Sequence, residues 1–379
     1  MILGVNGIRL ASHRSGVARC IEAILNCMPS LDHPFREVRL YTPKPLPAEV
    51  SLPSLVRVLV LPSPVPLALW EQWTLPRAHN SGDVLLCPSY VVPLMARCPT
   101  LLIHHGSYEG YPQAFDWWTL NKARLAYSLS ARRATVVSTV SEFSRRDMVR
   151  YYGMKSSQIH VVPEGVHTDV FRPIRDPERI RAWRQKRLGA DSEFLCYVGK
   201  PTERRNLTSL IRAFAELKRR AAIPHKLLIA GADLPGTSPF RQVIEELGLG
   251  SEVIVLGYVG HDEMPLVYNA ASMLIYPSSY EGFGMPVLEA MACGTPVIAL
   301  NNTAFPEFAG GVALLLDSAE VQVLAKGIQQ ILADPELRER MAREGPRRAA
   351  SYDWKVITQR YLDLMRPLAE KQEIRGHSH

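Results

Sequence analysis

No two cysteines in the chain stand at C-x-x-C spacing, and no cysteine–histidine group has the spacing of a zinc finger. The six cysteines, Cys20, Cys27, Cys87, Cys98, Cys196 and Cys293, therefore read as free thiols of a reducing compartment, the cytosol. Long apolar runs are missing as well. The longest, Leu55 to Trp70, carries Arg57 and three prolines, Pro62, Pro64 and Pro66, and cannot span a bilayer. Met1 to Leu10 has no basic stretch ahead of its short apolar run, so no signal peptide is expected. G-x-G-x-x-G does not occur: Gly282-Phe283-Gly284 lacks the third glycine and runs into Pro286. Gly231 to Gly236 mimics a phosphate-binding loop, but Thr237 stands where that loop requires lysine. These absences exclude a disulfide scaffold, a zinc finger, a membrane-spanning chain, a dinucleotide-dependent dehydrogenase and a P-loop nucleotidase.

What is present is ordinary globular material, 47% apolar and 21% charged, and 379 residues suffice for about two domains. The formal charge of +7 favours an anionic partner: nucleic acid, an acidic lipid surface or a phosphorylated small molecule. Short apolar runs alternate with segments of helical period, the pattern of parallel α/β units. Strands are predicted over 2–5, 38–41, 56–60, 84–86, 100–103, 135–138 and 159–162, then over 194–198, 226–230, 253–256, 273–276, 296–299 and 313–315. Helices are predicted between them, notably 16–28, 119–133, 142–152, 207–220, 240–247, 263–270, 286–293, 321–332 and 336–344. The stretch 163–190, rich in Pro, Arg and Asp, reads as the hinge. This gives a first domain over 1–170, a second over 171–352, and a final helix, 353–372, packing back on the first.

The chemistry concentrates in Ser278–Ile298, S-S-Y-E-G-F-G-M-P-V-L-E-A-M-A-C-G-T-P-V-I. A strand feeds a glycine loop, Gly282 and Gly284, and a helix opens near Pro286, where proline's missing amide hydrogen costs nothing. The amides and the positive dipole end of such a helix make an anion site suited to a diphosphate. Glu281 and Glu289 are too far apart along the chain to share a proton as a dyad. They suit two ends of an extended ligand, one carboxylate on sugar hydroxyls beyond the phosphates and one on a ribose diol.

This segment resembles the E-x7-E signature of family 4 of the retaining glycosyltransferases, over the whole string E-G-F-G-M-P-V-L-E-A-M-A-C-G-T-P-V-I. The resemblance implies the GT-B fold: two Rossmann-like, doubly wound parallel-sheet domains with a cleft between them. It implies that Glu281 contacts the donor sugar and Glu289 the ribose, while backbone amides of Phe283, Gly284, Met285, Pro286, Val287 and Leu288 line the sugar and diphosphate. Tyr197-Val198-Gly199 followed by Arg204-Arg205-Asn206-Leu207 resembles the family's Y-V-G and R-K-N-L, with Arg205 in place of the usual lysine. Cations there would neutralise the leaving nucleotide. Which of Arg204, Arg205 and Lys200 makes the phosphate contact stays open. Gly16 corresponds to a family glycine near the donor phosphates. His104 aligns with a histidine implied to touch the donor sugar, and His105 replaces the usual aspartate after it. Gly231, Tyr258 and Val259 correspond to positions that hold the nucleobase. Glu164 stands where the family turn reads P-N-G-V, and after Phe305-Pro306-Glu307 the acidic residue that usually follows glycine is missing beyond Gly310-Gly311.

D-x-D occurs nowhere, so the divalent-metal clamp on a donor diphosphate is not expected, and neither a metal nor another cofactor is called for. The resemblance therefore implies metal-independent transfer of a hexose of glucose or mannose type, from a UDP-sugar or, second, a GDP-sugar. The acceptor would be a saccharide or lipid-linked saccharide, and no nucleic acid is implied. A nucleotide-sugar epimerase and a non-catalytic sugar-nucleotide binding subunit are the alternatives. Between Thr119 and Lys155, eight basic residues face two acidic ones and follow Trp117-Trp118, which predicts peripheral docking on an anionic membrane.

Overall fold

The computed structural model of the chain describes every residue except 12–14, 80–82, 108–110, 113–115, 190, 232–238 and 377–379, and of 373–376 the backbone alone. It divides into two compact units: Met1–Gly165 with Trp354–His379, and Val166–Asp353. The line drawn from the sequence after residue 170 lies slightly beyond the first of these boundaries.

The first unit holds a seven-stranded sheet of β1 (Ile2–Asn6), β2 (Glu37–Thr42), β3 (Val56–Val60), β4 (Val84–Cys87), β5 (Thr100–His104), β6 (Val136–Thr139) and β7 (Ile159–Val161). The order is β3-β2-β1-β4-β5-β6-β7, and all pairs are parallel. The second unit holds β8 (Phe194–Val198), β9 (Lys226–Ala230), β10 (Val253–Gly257), β11 (Met273–Tyr276), β12 (Val297–Leu300) and β13 (Leu314–Leu316), ordered β10-β9-β8-β11-β12-β13 and again parallel. Each sheet runs outward from its first strand, then returns to continue on the other side. That is the doubly wound Rossmann arrangement expected from the sequence.

Crossover helices cover both faces of such a sheet, so its central strands read as continuous apolar runs. β1, β4, β5, β8 and β11 are buried along their whole length, whereas the edge strand β3 leaves Val58 and Val60 partly exposed. Helix boundaries follow local chemistry. Ser15 and Ser141 cap the helices Gly16–Cys27 and Glu142–Tyr152 through their hydroxyls, and Gly153 ends the latter in the left-handed region. The segment read as a hinge contains a helix, Pro177–Leu188, capped by Asp176 and ended by Gly189. Its surface is charged nearly all round and Trp183 alone is buried, so it carries no apolar period to find.

Among the described residues no helix is long and apolar enough to cross a membrane. All six cysteines are buried and unpaired with one another.

Candidate active site

In the second unit the strand order reverses between β8 and β11, which are paired. The loops leaving their carboxyl ends therefore adjoin, and this is where open parallel sheets bind ligands. Asn206 fastens the two loops. Its Nδ2 donates to the Pro277 carbonyl at 2.8 Å and to Ser279 Oγ at 2.6 Å, while the Ser279 amide donates to the Arg204 carbonyl at 2.7 Å. Asn206 sits at φ 49°, a left-handed conformation that asparagine tolerates better than most residues.

This fastening brings Arg204 and Arg205 onto Glu281. Four donors converge on its Oε1: Arg204 Nη1 at 2.6 Å, Tyr276 Oη at 2.8 Å, Arg205 Nε at 3.0 Å and Ser278 Oγ at 3.1 Å. Burial alone would push the carboxyl up, but Arg205 and Arg204, with the Tyr276 hydroxyl, outweigh it and hold Glu281 below the ordinary carboxylate range. The carboxylate is thus ionised and fixed. Arg205 also lies over the Tyr276 ring, 5.6 Å from its centroid, and donates to the Lys200 carbonyl at 3.3 Å. Gly199 makes this possible: at φ 132°, a Cβ there would stand 2.5 Å from Arg205 Nη1.

The loop after β11 ends at Gly284, φ 114°, which opens the helix Met285–Ala292. A Cβ on Gly284 would meet the Phe305 ring at 2.6 Å, so the loop rests directly on the Phe305–Ala309 helix. Val287 and Leu288 are fully buried and Phe283 stacks on Phe308 with centroids 4.5 Å apart. Their side chains therefore belong to the core, and a ligand at this turn would meet backbone. The Val287 amide is already donated to the Gly284 carbonyl, and Pro286 has none. Glu289 is buried, and its Oε2 accepts from Tyr268 Oη at 2.8 Å. Beside the same sheet edge, Gly231 donates its amide to the Gly257 carbonyl, Tyr258 is exposed and Val259 is buried. Gly236 and Thr237 lie outside the described residues.

Gly16, His104 and His105 belong to the first unit. Gly16 is the first residue of its helix, behind the Ser15 cap. His104 is fully buried among Tyr90, Tyr127 and Tyr152. Its Nε2 is 3.0 Å from Tyr152 Oη and its Nδ1 accepts from the Gly106 amide at 3.4 Å. Burial, with a smaller contribution from His105, lowers its pKa to about 3, so the ring is neutral. His105, just past the strand, also packs on Tyr90 but has other hydrogen-bond partners. Its Nε2 donates to the Pro88 carbonyl at 2.9 Å and its Nδ1 lies 2.6 Å from Glu164 Oε1. Two of the positions that depart from the family pattern, 105 and 164, thus contact each other. Cys20 completes the one group of three metal-ligating side chains found among the described residues, with ligand atoms within 4.8 Å of one another. Ligand atoms around a tetrahedral zinc at about 2.0–2.3 Å stand more than roughly 3 Å apart. The 2.6 Å between Nδ1 and Oε1 is the spacing of a direct hydrogen bond.

Residues 14–170 match the sequence family described as Glycosyltransferase Family 4, and residues 179–348 that described as Glycosyl transferases group 1. The chain belongs to this glycosyltransferase family. It is 30% identical over 235 residues to O-antigen chain mannosyltransferase B of Escherichia coli, covering 62% of this chain and 61% of that protein. The chain's match thus spans about three-fifths of that relative's length. Among solved structures, sucrose-phosphate synthase from Thermosynechococcus elongatus superposes with a TM-score of 0.79 at 20% identity, covering 97% and 98% of the two chains. Anabaena HepE in complex with UDP and glucose superposes with a TM-score of 0.77 at 21% identity, covering 96% and 98%. The chain has the GT-B fold of these proteins.

Proposed function

We propose that the chain is a retaining hexosyltransferase that moves glucose or mannose from a nucleotide-diphosphate sugar to a saccharide or lipid-linked saccharide, without a metal. One observation carries the reading: a buried, ionised Glu281 clamped by Arg204 and Arg205, beside the start of the helix Met285–Ala292. A diphosphate placed here meets two guanidinium groups and the positive end of a helix, which stabilise charge as the nucleotide leaves. The fixed carboxylate accepts hydrogen bonds from the hydroxyls of the sugar beyond it. Glu289 serves the ribose, with Tyr268 orienting it, and Gly231, Tyr258 and Val259 lie towards the base. In this reading attack proceeds on the leaving-group face and the departing phosphate takes the acceptor proton.

The relatives support this donor class. One is named a mannosyltransferase, and HepE has been crystallised with UDP and glucose. UDP stays the first choice of nucleotide and GDP the second. The deciding experiment titrates the chain with UDP-glucose, UDP-galactose, GDP-mannose and the free nucleotides by thermal shift. A cognate donor at a hundred times its Kd stabilises by about 2.7 kcal/mol. If no nucleotide raises the melting temperature, the reading fails.

The same proposal places the enzyme at an anionic membrane through the first unit. Trp117, Trp118 and Leu125 are among its most exposed apolar side chains; Lys122 is exposed on the same helix, and Arg146 and Arg150 on the helix Glu142–Tyr152. Not all the positive charge is available, however. Arg132 donates to the Tyr152 carbonyl, Arg133 to the Leu94 and Ala96 carbonyls, and Arg124 to the Tyr151 carbonyl.

A further inference from the structure

The clamp on Glu281 is lopsided. All four donors reach Oε1, while Oε2 accepts a hydrogen bond from none of the described residues. Nor is Oε2 one of the buried atoms left unpaired, so it faces open space, and the side chain keeps 11% of its surface exposed. One oxygen is anchored and the other is left to accept.

The four donors are not equally committed to that anchor. Arg204 also donates to the Tyr280 carbonyl, and Arg205 to the Lys200 carbonyl at 3.3 Å. Both are cations, and a diphosphate, more strongly charged than one carboxylate, competes for them. The Ser278 hydroxyl has a single hydrogen, and the carbonyls of Arg204 at 3.4 Å and Tyr280 at 3.3 Å lie within its reach besides Glu281. Tyr276 differs. It closes β11, is 1% exposed, and has Glu281 Oε1 as the one acceptor of its hydroxyl among the described residues. Being neutral, it is not drawn to an incoming diphosphate, and burial pushes its phenol well up from the ordinary value, so it keeps the proton it donates. Its ring is held by neighbours. Tyr197 stacks on it with centroids 6.5 Å apart, Phe305 meets it edge-on at 5.9 Å, and Arg205 lies over it.

We propose that Tyr276 is the positioning residue of Glu281: its hydroxyl holds Oε1 when a diphosphate draws Arg204 and Arg205 away, so that Oε2 stays aimed at a hydroxyl of the transferred sugar. This rests on the donor reading of the same site. Binding the donor takes cations from the carboxylate at the moment when the carboxylate must stay still. A neutral donor with no other acceptor, on a ring packed into the core, is the contact that survives this exchange.

Calorimetric titration of the full chain with UDP, UDP-glucose, GDP and GDP-mannose tests this, with hydrolysis of the nucleotide sugar followed in the absence of acceptor. Tyr276→Phe deletes the hydroxyl and keeps the ring under Arg205. Loss of a hydrogen bond to a charged group is expected to weaken the nucleotide sugar about tenfold or more relative to its own free nucleotide, and to slow hydrolysis by a similar factor. Ser278→Ala, which removes a shared hydrogen, is expected to lose less. A merely structural Tyr276 would weaken nucleotide and nucleotide sugar alike, and that result overturns the proposal. So does a larger loss in Ser278→Ala, or failure of Tyr276→Phe to fold, which would make the hydroxyl a fixture of the fold. If wild type binds none of the four compounds, the donor reading fails and the positioning role with it. If wild type binds and Tyr276→Phe matches it throughout, the positioning role alone falls.

Discussion

The two units have the same strand order at their centres and a carboxyl group associated with the point where that order reverses, yet they set those carboxyls in opposite ways. In the second unit Glu281 is held low, because two guanidinium groups and two hydroxyls converge on one oxygen. In the first unit Glu71, which accepts from Asn6 at the end of β1, is held high, because burial is countered only by that amide and a more distant arginine. One scaffold thus carries a permanently charged carboxyl and a titratable one. Backbone topology selects where each carboxyl is placed. The cations packed around it decide its charge.

The strongest way to break this comparison is to dismantle the charged clamp. Glu281→Ala and Arg205→Ala are each expected to lower kcat/KM by about a hundredfold or more, roughly 2.7 kcal/mol, with the circular dichroism spectrum unchanged. Either variant retaining more than about a tenth of wild-type kcat/KM would remove that residue from the site. A second, smaller effect concerns the fastening. Asn206→Ala loses both the hydrogen bonds and the left-handed preference, and should cost about 1–3 kcal/mol of stability in denaturant unfolding. Asn206→Gly restores the backbone preference alone and should recover stability but not transfer rate; equal activity of the two variants with wild type would mean the fastening is dispensable.

The titratable carboxyl gives a pH signature. Its pKa is raised from 4.5 to about 7 in the folded chain, so the folded state binds the extra proton between those values and stability falls as pH rises through that window. Glu71→Gln removes the penalty. Its stability relative to wild type in denaturant unfolding should climb from pH 4.5 to 7 and then level off, by at most about 3.4 kcal/mol. A constant difference across that range would mean that Glu71 does not titrate there. The smallest expected effect is none at all: turnover in excess EDTA should equal turnover with added magnesium or manganese, and strict dependence on either would overturn the reading of the absent D-x-D.

Both sheets were legible in the sequence because buried parallel strands are short apolar runs, and Phe194–Val198 or Met273–Tyr276 can scarcely be anything else. The helix Pro177–Leu188 was not legible from periodicity. Its Asp-Pro start and Gly end were visible, and capping chemistry weighed above apolar period would have found it. The irregular segment 67–78 was hidden by the prolines before it, Pro62, Pro64 and Pro66, and by Pro76 within it. In the site, the resemblance named Glu281, Arg204 and Arg205. That they bind one another follows from β8 pairing with β11, a fact of strand order and not of local sequence. Likewise, His104 closes β5 among buried tyrosines while His105, the next residue, bonds Glu164, a difference that the aligned pair of histidines did not reveal.

The helix Trp354–Gly376 completes the first unit after the chain has already made the second. Tyr361 donates to the Val162 carbonyl, and Gly165 lies so close to Trp354 that a Cβ would stand 2.6 Å from its ring. During synthesis, residues 1–165 therefore emerge with an open face that is filled only when residues 354–372 arrive, on the order of ten to forty seconds later. The unit that begins first is the one that finishes last. Ribosome stalling, premature stops or tags that hinder the end of the chain should consequently cripple the amino-terminal unit and spare the one between, the reverse of what position along the gene would suggest.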